Sequence, residues 1–179
     1  MDVTQVLLWI LAAVGFVWLT VNVHEYGHLA VGRGAGVPAD SIRVRFTPLP
    51  PHVALRDGER WLAPDDTGYV PAFARFNPGA AAAWWYVAGG FVIESVVVMG
   101  AVAALAPVAP AVAALWLETS TAIFLVYVLL DVVGSWRRGA PTGDTSALWR
   151  IHAGGTVALL LSVAVGRGLL LWWVVPGVW

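Results

Sequence analysis

The chain has no cysteine. That excludes disulfides, thiolate metal ligands and cysteine nucleophiles, and it leaves the redox compartment open. Charge is also scarce: 12% of the 179 residues are charged, against about 25% in a soluble domain. Lysine is absent, so all ten basic residues are arginine. The net charge of −1 offers no basic footprint, and no nucleic-acid partner is expected. The N-terminal "MDVTQVLLW" lacks a basic region, and no small-residue cleavage site follows it. The first apolar segment therefore reads as a retained span rather than a signal peptide.

What the chain has is apolar sequence. Hydrophobic residues make up 59% of it, in blocks near the roughly 20 residues that cross a bilayer. The expected fold is an all-α integral membrane bundle of about four transmembrane helices, with a small β-hairpin or sheet inserted after the first. The spans are expected at about 3–31, 80–105, 111–133 and 146–175, in one domain over residues 1–179. Gly32, Gly34 and Gly36 are expected to stop the first helix. The segment "LLLWWVV" either extends the fourth or lies along the membrane surface.

The sizeable polar stretch is 37–77. In "SIRVRF", Ile42, Val44 and Phe46 alternate with Arg43 and Arg45, the pattern of a half-buried strand. In "HVALRDGERWLA", Asp57-Gly58 separates two short runs, as in a hairpin. In "NPG", Asn77 reads as an N-cap and Pro78 as the first helical residue.

Arginine sets the orientation. Loop 32–78 holds six and loop 134–150 holds three. With four spans both loops fall on one side, which the positive-inside rule makes cytoplasmic. The termini then face outward, and Arg167 falls near the outer interface. Trp84, Trp85, Trp136 and Trp149 fit an inner aromatic belt; Trp9, Trp116, Trp172 and Trp173 fit an outer one. This arrangement suits the cytoplasmic (inner) membrane.

The chemistry concentrates in "HEYGH". Helical positions four apart share a face, so His24 and His28 can bind one ion. Neutral imidazoles suit zinc. Glu25 is placed to take a proton from water at that ion. Ionisable groups within a span are costly and point to function. A catalytic zinc site takes three protein ligands and leaves one position open. The third ligand must come from elsewhere; the candidates are His52, Glu94, Glu118, Asp131, Asp144 and His152. Asp144 precedes the fourth span on the same side as the histidines, and Asp131 ends the third span there. Glu118 falls near the opposite end. His52 reads as a surface residue of the hairpin. His152 either lines the site or packs on a neighbouring helix. Glu94 lies mid-span, where a carboxyl is protonated, hydrogen-bonded or functional. Gly89 and Gly90 just before it would let another helix or a peptide come close.

Together these features resemble the site-2 protease family of intramembrane zinc metalloproteases. HEYGH ends a first core helix, a short β region follows, a glycine-bearing helix ("VAGGFVIES") comes next, and an aspartate motif begins a later helix. The likeness in layout covers nearly the whole chain, and HEYGH is its close motif match. The resemblance implies zinc held by His24, His28 and Asp144, with Glu25 as general base. Glu94, Asp131, His152, Gly89 and Gly90 are then candidates to touch substrate or support the ligands. Three departures stand out. Gly143 precedes Asp144 in "PTGDTSALW", where the family has Asp-Gly. "GGFVIE" has no Asn. In "LLDVVGSW", Asp131 stands for the Asn of the family's "fNLLP".

The implied activity is an intramembrane endopeptidase, with membrane-protein or peptide segments as substrates, the lipid bilayer as surroundings and the site near the cytoplasmic face. A homo-oligomer or a larger membrane complex is compatible with it. The alternative is a non-catalytic membrane subunit that keeps the fold and a structural zinc. The altered Asp-Gly order motivates that alternative, and the retained Glu25 opposes it.

Overall fold

The computed structural model describes residues 2–175. Eight elements follow in order: α1 (Val3–Gly34), β1 (Ile42–Arg45), β2 (His52–Asp57), β3 (Arg60–Leu62), α2 (Tyr69–Phe76), α3 (Ala80–Leu105), α4 (Pro110–Arg138) and α5 (Asp144–Val174). Among the described residues, α1, α3, α4 and α5 are the four helices long and apolar enough to cross a membrane. At 1.5 Å per residue they are about 39–48 Å long, more than a hydrocarbon core of about 30 Å.

α1 begins with a capping box. Asp2 accepts from the Gln5 amide at 2.8 Å, and Gln5 Oε1 accepts from the Asp2 amide at 3.2 Å. The helix continues through HEYGH and stops where Gly36 takes φ +101°, a conformation costly for any other residue. Most of its N-terminal half is exposed: Leu7, Leu8, Leu11, Val14 and Trp18 face away from the other helices.

β1, β2 and β3 form an antiparallel sheet in that order, with Ile42 opposite Leu55 and Leu55 opposite Leu62. Asp57 pairs with Arg60 across a turn at Gly58, whose φ is +62°, as the Asp-Gly pattern leads one to expect. Ile42, Val53, Leu55 and Leu62 pack with Tyr69, Phe73 and Tyr86 at the HEYGH end of α1.

Several boundaries differ from the sequence reading. α2 is unanticipated; its Pro71 lies in the first turn, where proline removes no helical hydrogen bond. The cap of α3 is Gly79, not Asn77. Asn77 instead closes α2, donates to Ala35 O at 3.1 Å and accepts from the Gly79 amide at 3.2 Å. α4 runs five residues past 133, to Arg138, and α5 starts two residues earlier than 146, at Asp144. "LLLWWVV" continues α5 as far as Val174. Trp116 belongs to no outer belt. It is buried, stacks on Phe16 and donates to Thr20 Oγ1 at 3.3 Å.

α3 is the central helix. Near α1, Tyr86 meets Gly32, Gly89 meets Gly27 and Val31, and Phe91 meets His24. The numbers rise along one helix as they fall along the other, so the pair is antiparallel. A Cβ on Gly27 would overlap the Gly89 carbonyl, so only glycines allow this approach. Thr20 meets Trp116 and His24 meets Tyr127, so α4 runs parallel to α1.

Candidate metal centre

The approach of α1 to α3 delivers the two histidines to one point. His24 Nε2 and His28 Nε2 lie 3.1 Å apart. The Nδ1–H of His28 donates to the Tyr86 carbonyl at 2.9 Å. A carbonyl can only accept, so the proton of the neutral ring sits on Nδ1 and the Nε2 lone pair is free. Hydrogen bonding of the second ring nitrogen is the usual support for a metal-binding imidazole.

The third group comes from the start of α5. Asp144 Oδ2 lies 3.0 Å from His24 Nε2 and 3.2 Å from His28 Nε2. These three atoms form a nearly equilateral triangle. Ligands about 2.0–2.1 Å from zinc in a tetrahedron are about 3.3–3.4 Å from each other. The donor set of two imidazoles and one carboxylate also suits that ion. Glu25 belongs to the same cluster: His24, Glu25 and His28 each offer a donor atom, all within 4.8 Å of one another. Asp144 closes the tighter triangle.

Gly90 lies directly over it. A Cβ there would be 2.5 Å from His24 Nε2 and 2.6 Å from His28 Nε2. Gly89 gives α1 its close approach, and Gly90 keeps the space at the ligand atoms clear. Phe91 sets its ring edge-on to His24, with centroids 4.9 Å apart.

Asp144 is held by α4. Gly143, the N-cap of α5, has no side chain to satisfy the first amides of the helix. Tyr127 Oη accepts from the Asp144 amide at 3.0 Å, and Asp131 Oδ2 accepts from the Ser146 amide at 2.8 Å. Asp131 Oδ1 also accepts from the hydroxyls of Ser135, Thr142 and Ser146, at 3.0, 3.0 and 2.7 Å. Asp131 thus spends both oxygens on the loop and the helix start, away from the imidazoles. A Cβ on Gly143 would meet Tyr127 Oη at 2.8 Å and Asp131 Cγ at 2.9 Å. Gly-Asp is therefore the order this turn requires.

The remaining candidates lie apart. His152 is exposed and has non-helical φ −157° and ψ 89° within α5. Its Nδ1 accepts from the Gly155 amide at 2.7 Å, so it caps the continuing helix rather than lining the site. Glu118 lies on α4 away from the cavity. His52 is half-buried, 3.2 Å through Nδ1 from the Pro50 carbonyl, and borders the cavity beside Pro50 and Pro51.

Glu94 is buried and forms an ion pair with Arg167 of α5 at 2.5 Å. Arg167, expected near the outer interface from its position in the sequence, is fully buried within the bundle. Two lone charges deep in apolar helices are the signal that could have paired them. Tyr127, Tyr86 and Tyr69 also escaped the sequence reading. Tyr69 donates to Val53 O at 2.9 Å and meets the Tyr86 hydroxyl at 2.5 Å; burial holds its phenol well above the usual value, so it stays protonated.

The two histidines, Glu25 and Asp144 border a cavity of about 450 Å³, within the range of about 300–1,000 Å³ of ligand sites. Its lining includes His24, Glu25, His28, Asp144, Tyr127 and Glu94, among apolar walls from Val21, Val87, Phe91, Ile123 and Phe124.

Comparison with protein-family models, with curated proteins and with solved structures gives no match to this chain.

Proposed function

We propose that the protein is an intramembrane zinc endopeptidase that hydrolyses peptide bonds in transmembrane or membrane-proximal segments. One observation carries this reading: His24 Nε2, His28 Nε2 and Asp144 Oδ2 converge to 3.0–3.2 Å, with Glu25 beside them on a shared cavity. A structural zinc site is closed, whereas this cluster faces open space large enough for a peptide segment. That favours the enzyme over a non-catalytic subunit.

His24, His28 and Asp144 would hold the ion. When bound, zinc supplies Lewis acidity, which polarises a carbonyl and acidifies water. Glu25 accepts the proton of the attacking water and passes it to the leaving amine. Tyr86 fixes the ring of His28 through its carbonyl, and Tyr127 and Asp131 fix Asp144. A helical substrate must unwind to expose its carbonyl. Residues His52–Ala54 of β2 extend past the stretch paired with β3 and border the cavity at His52 and Val53, where an unwound segment can lie alongside. Tyr69 uses one lone pair of the Val53 carbonyl and leaves the other.

Four apolar helices and the exposed apolar half of α1 support membrane insertion. Nine of the ten arginines lie in the two loops at the HEYGH end, or border them, which supports a cytoplasmic site with both termini outside.

The test is zinc content and cleavage of a single-span peptide in detergent micelles. Wild type should hold one zinc per chain. Glu25→Gln should keep it and lose at least about 100-fold in cleavage. Asp144→Ala should weaken zinc binding. A wild type that takes up no zinc overturns the metal reading, and unchanged cleavage by Glu25→Gln overturns the base.

A further inference from the structure

Polar groups reach the cavity at a second level, away from the proposed zinc ligands. Gly90 marks the ligand level, since its missing Cβ points at both Nε2 atoms. Glu94 is four residues on, on the same face of α3 and about 6 Å further along its axis. Thr20 is four residues before His24 on antiparallel α1, displaced in the same direction. Ser120 lies two turns before Tyr127 on α4, again in that direction. Thr20, Glu94 and Ser120 all line the cavity.

Their hydrogen-bonding capacity is defined. Thr20 Oγ1 accepts from Trp116 Nε1 at 3.3 Å, which leaves its O–H to donate. Ser120 Oγ donates to Leu117 O at 3.1 Å, which leaves its lone pairs to accept. Glu94 Oε1 accepts from Arg167 Nη2, and the second carboxylate oxygen adds an acceptor. Arg167 balances the charge of Glu94. A cationic guest would therefore leave a surplus charge in an apolar wall, and so would an anionic one. A neutral guest that both donates and accepts fits all three groups.

We propose that this level is a recognition site for an uncharged polar side chain of the substrate, a carboxamide or hydroxyl, next to the bond presented at His24, His28 and Asp144. In an extended peptide, side chains on one face repeat about every 6.6 Å, close to the offset of Glu94 from the ligand level. The proposal rests on the endopeptidase reading and adds a substrate class to it. Glu94 is its specificity-determining residue, and Arg167 acts by holding Glu94.

The probes are single-span peptides of about 20 apolar residues carrying one central Gln, Met or Lys. Met matches Gln in shape without its hydrogen bonds, and Gln is a good helix former, so recognition is separated from ease of unwinding. Binding is measured to zinc-loaded Glu25→Gln in micelles, and cleavage by wild type is followed in parallel. The Gln peptide should bind at least about tenfold more tightly than the Met peptide. Adding Glu94→Leu with Arg167→Leu should reduce that ratio below about twofold, and adding Glu94→Gln, which keeps an acceptor, should preserve a preference. Equal binding of Gln and Met peptides overturns the recognition site, and cleavage of both by wild type then leaves the endopeptidase reading standing. A preference that survives the double leucine variant overturns Glu94 as its source. Tighter binding of the Lys peptide overturns the choice of a neutral guest. Absence of both binding and cleavage with all three peptides overturns both proposals.

Discussion

A methyl group on Gly90 would enter the space that the His24 and His28 nitrogens share. Gly90→Ala is therefore expected to lower zinc affinity at least about 10–100-fold, the range seen when ligand support is disturbed. Gly100→Ala on the same helix meets nothing within 4 Å and should leave affinity unchanged. Titration against a chelating dye distinguishes the two. HEYGH was legible because its spacing is local, set by helix geometry alone. Gly89-Gly90 was legible as a close approach, but not what it approaches. The sequence also left Asp131 and Asp144 open as third ligand. Choosing between two carboxylates takes a distance, which sequence spacing does not supply.

The start of α5 is capped by another helix. Tyr127 and Asp131 are four apart on α4, so both face the loop, and they receive the amides of Asp144 and Ser146. Asp131→Ala should cost about 1–2 kcal/mol of stability through the lost cap. It should also weaken zinc binding about 10–100-fold by freeing Asp144. Tyr127→Phe removes one acceptor and should cost less on both counts. Thermal unfolding in detergent and zinc titration measure the two effects. A reading confined to local signals sees glycine at 143 and starts the helix at Ser146, because the acceptors lie 13 or more residues upstream. α2 was missed for a related reason. Its eight residues are held by burying Tyr69, Ala72 and Phe73 against the sheet, which no local pattern announces.

The bundle as a whole is tied across its middle by Glu94 and Arg167, both buried. Glu94→Leu or Arg167→Leu alone leaves an unpaired charge among apolar side chains and should destabilise by about 3–5 kcal/mol. The double leucine variant should recover most of that loss. Denaturation of the three variants in mixed detergent gives the coupling, and additive single effects would contradict a direct pair. The number of long helices was legible because long apolar runs are read directly. Which faces meet was not, since helices apolar all round carry no stripe to mark the interior. Trp116 and Arg167 show this: each was assigned to an interface by position, and each turns inward.

The break at His152 divides α5 unequally. Before it lie about two turns that carry Asp144, fastened at their start by α4. After it lies a long apolar stretch with a cap of its own, the His152 imidazole on the Gly155 amide. Within a bilayer, a rod this long would change its tilt as the lipid thins or thickens. In a continuous helix that tilt would swing the aspartate away from the histidines. A joint at His152 would take up that rotation, so the long stretch could follow the lipid while the short one keeps its bearing.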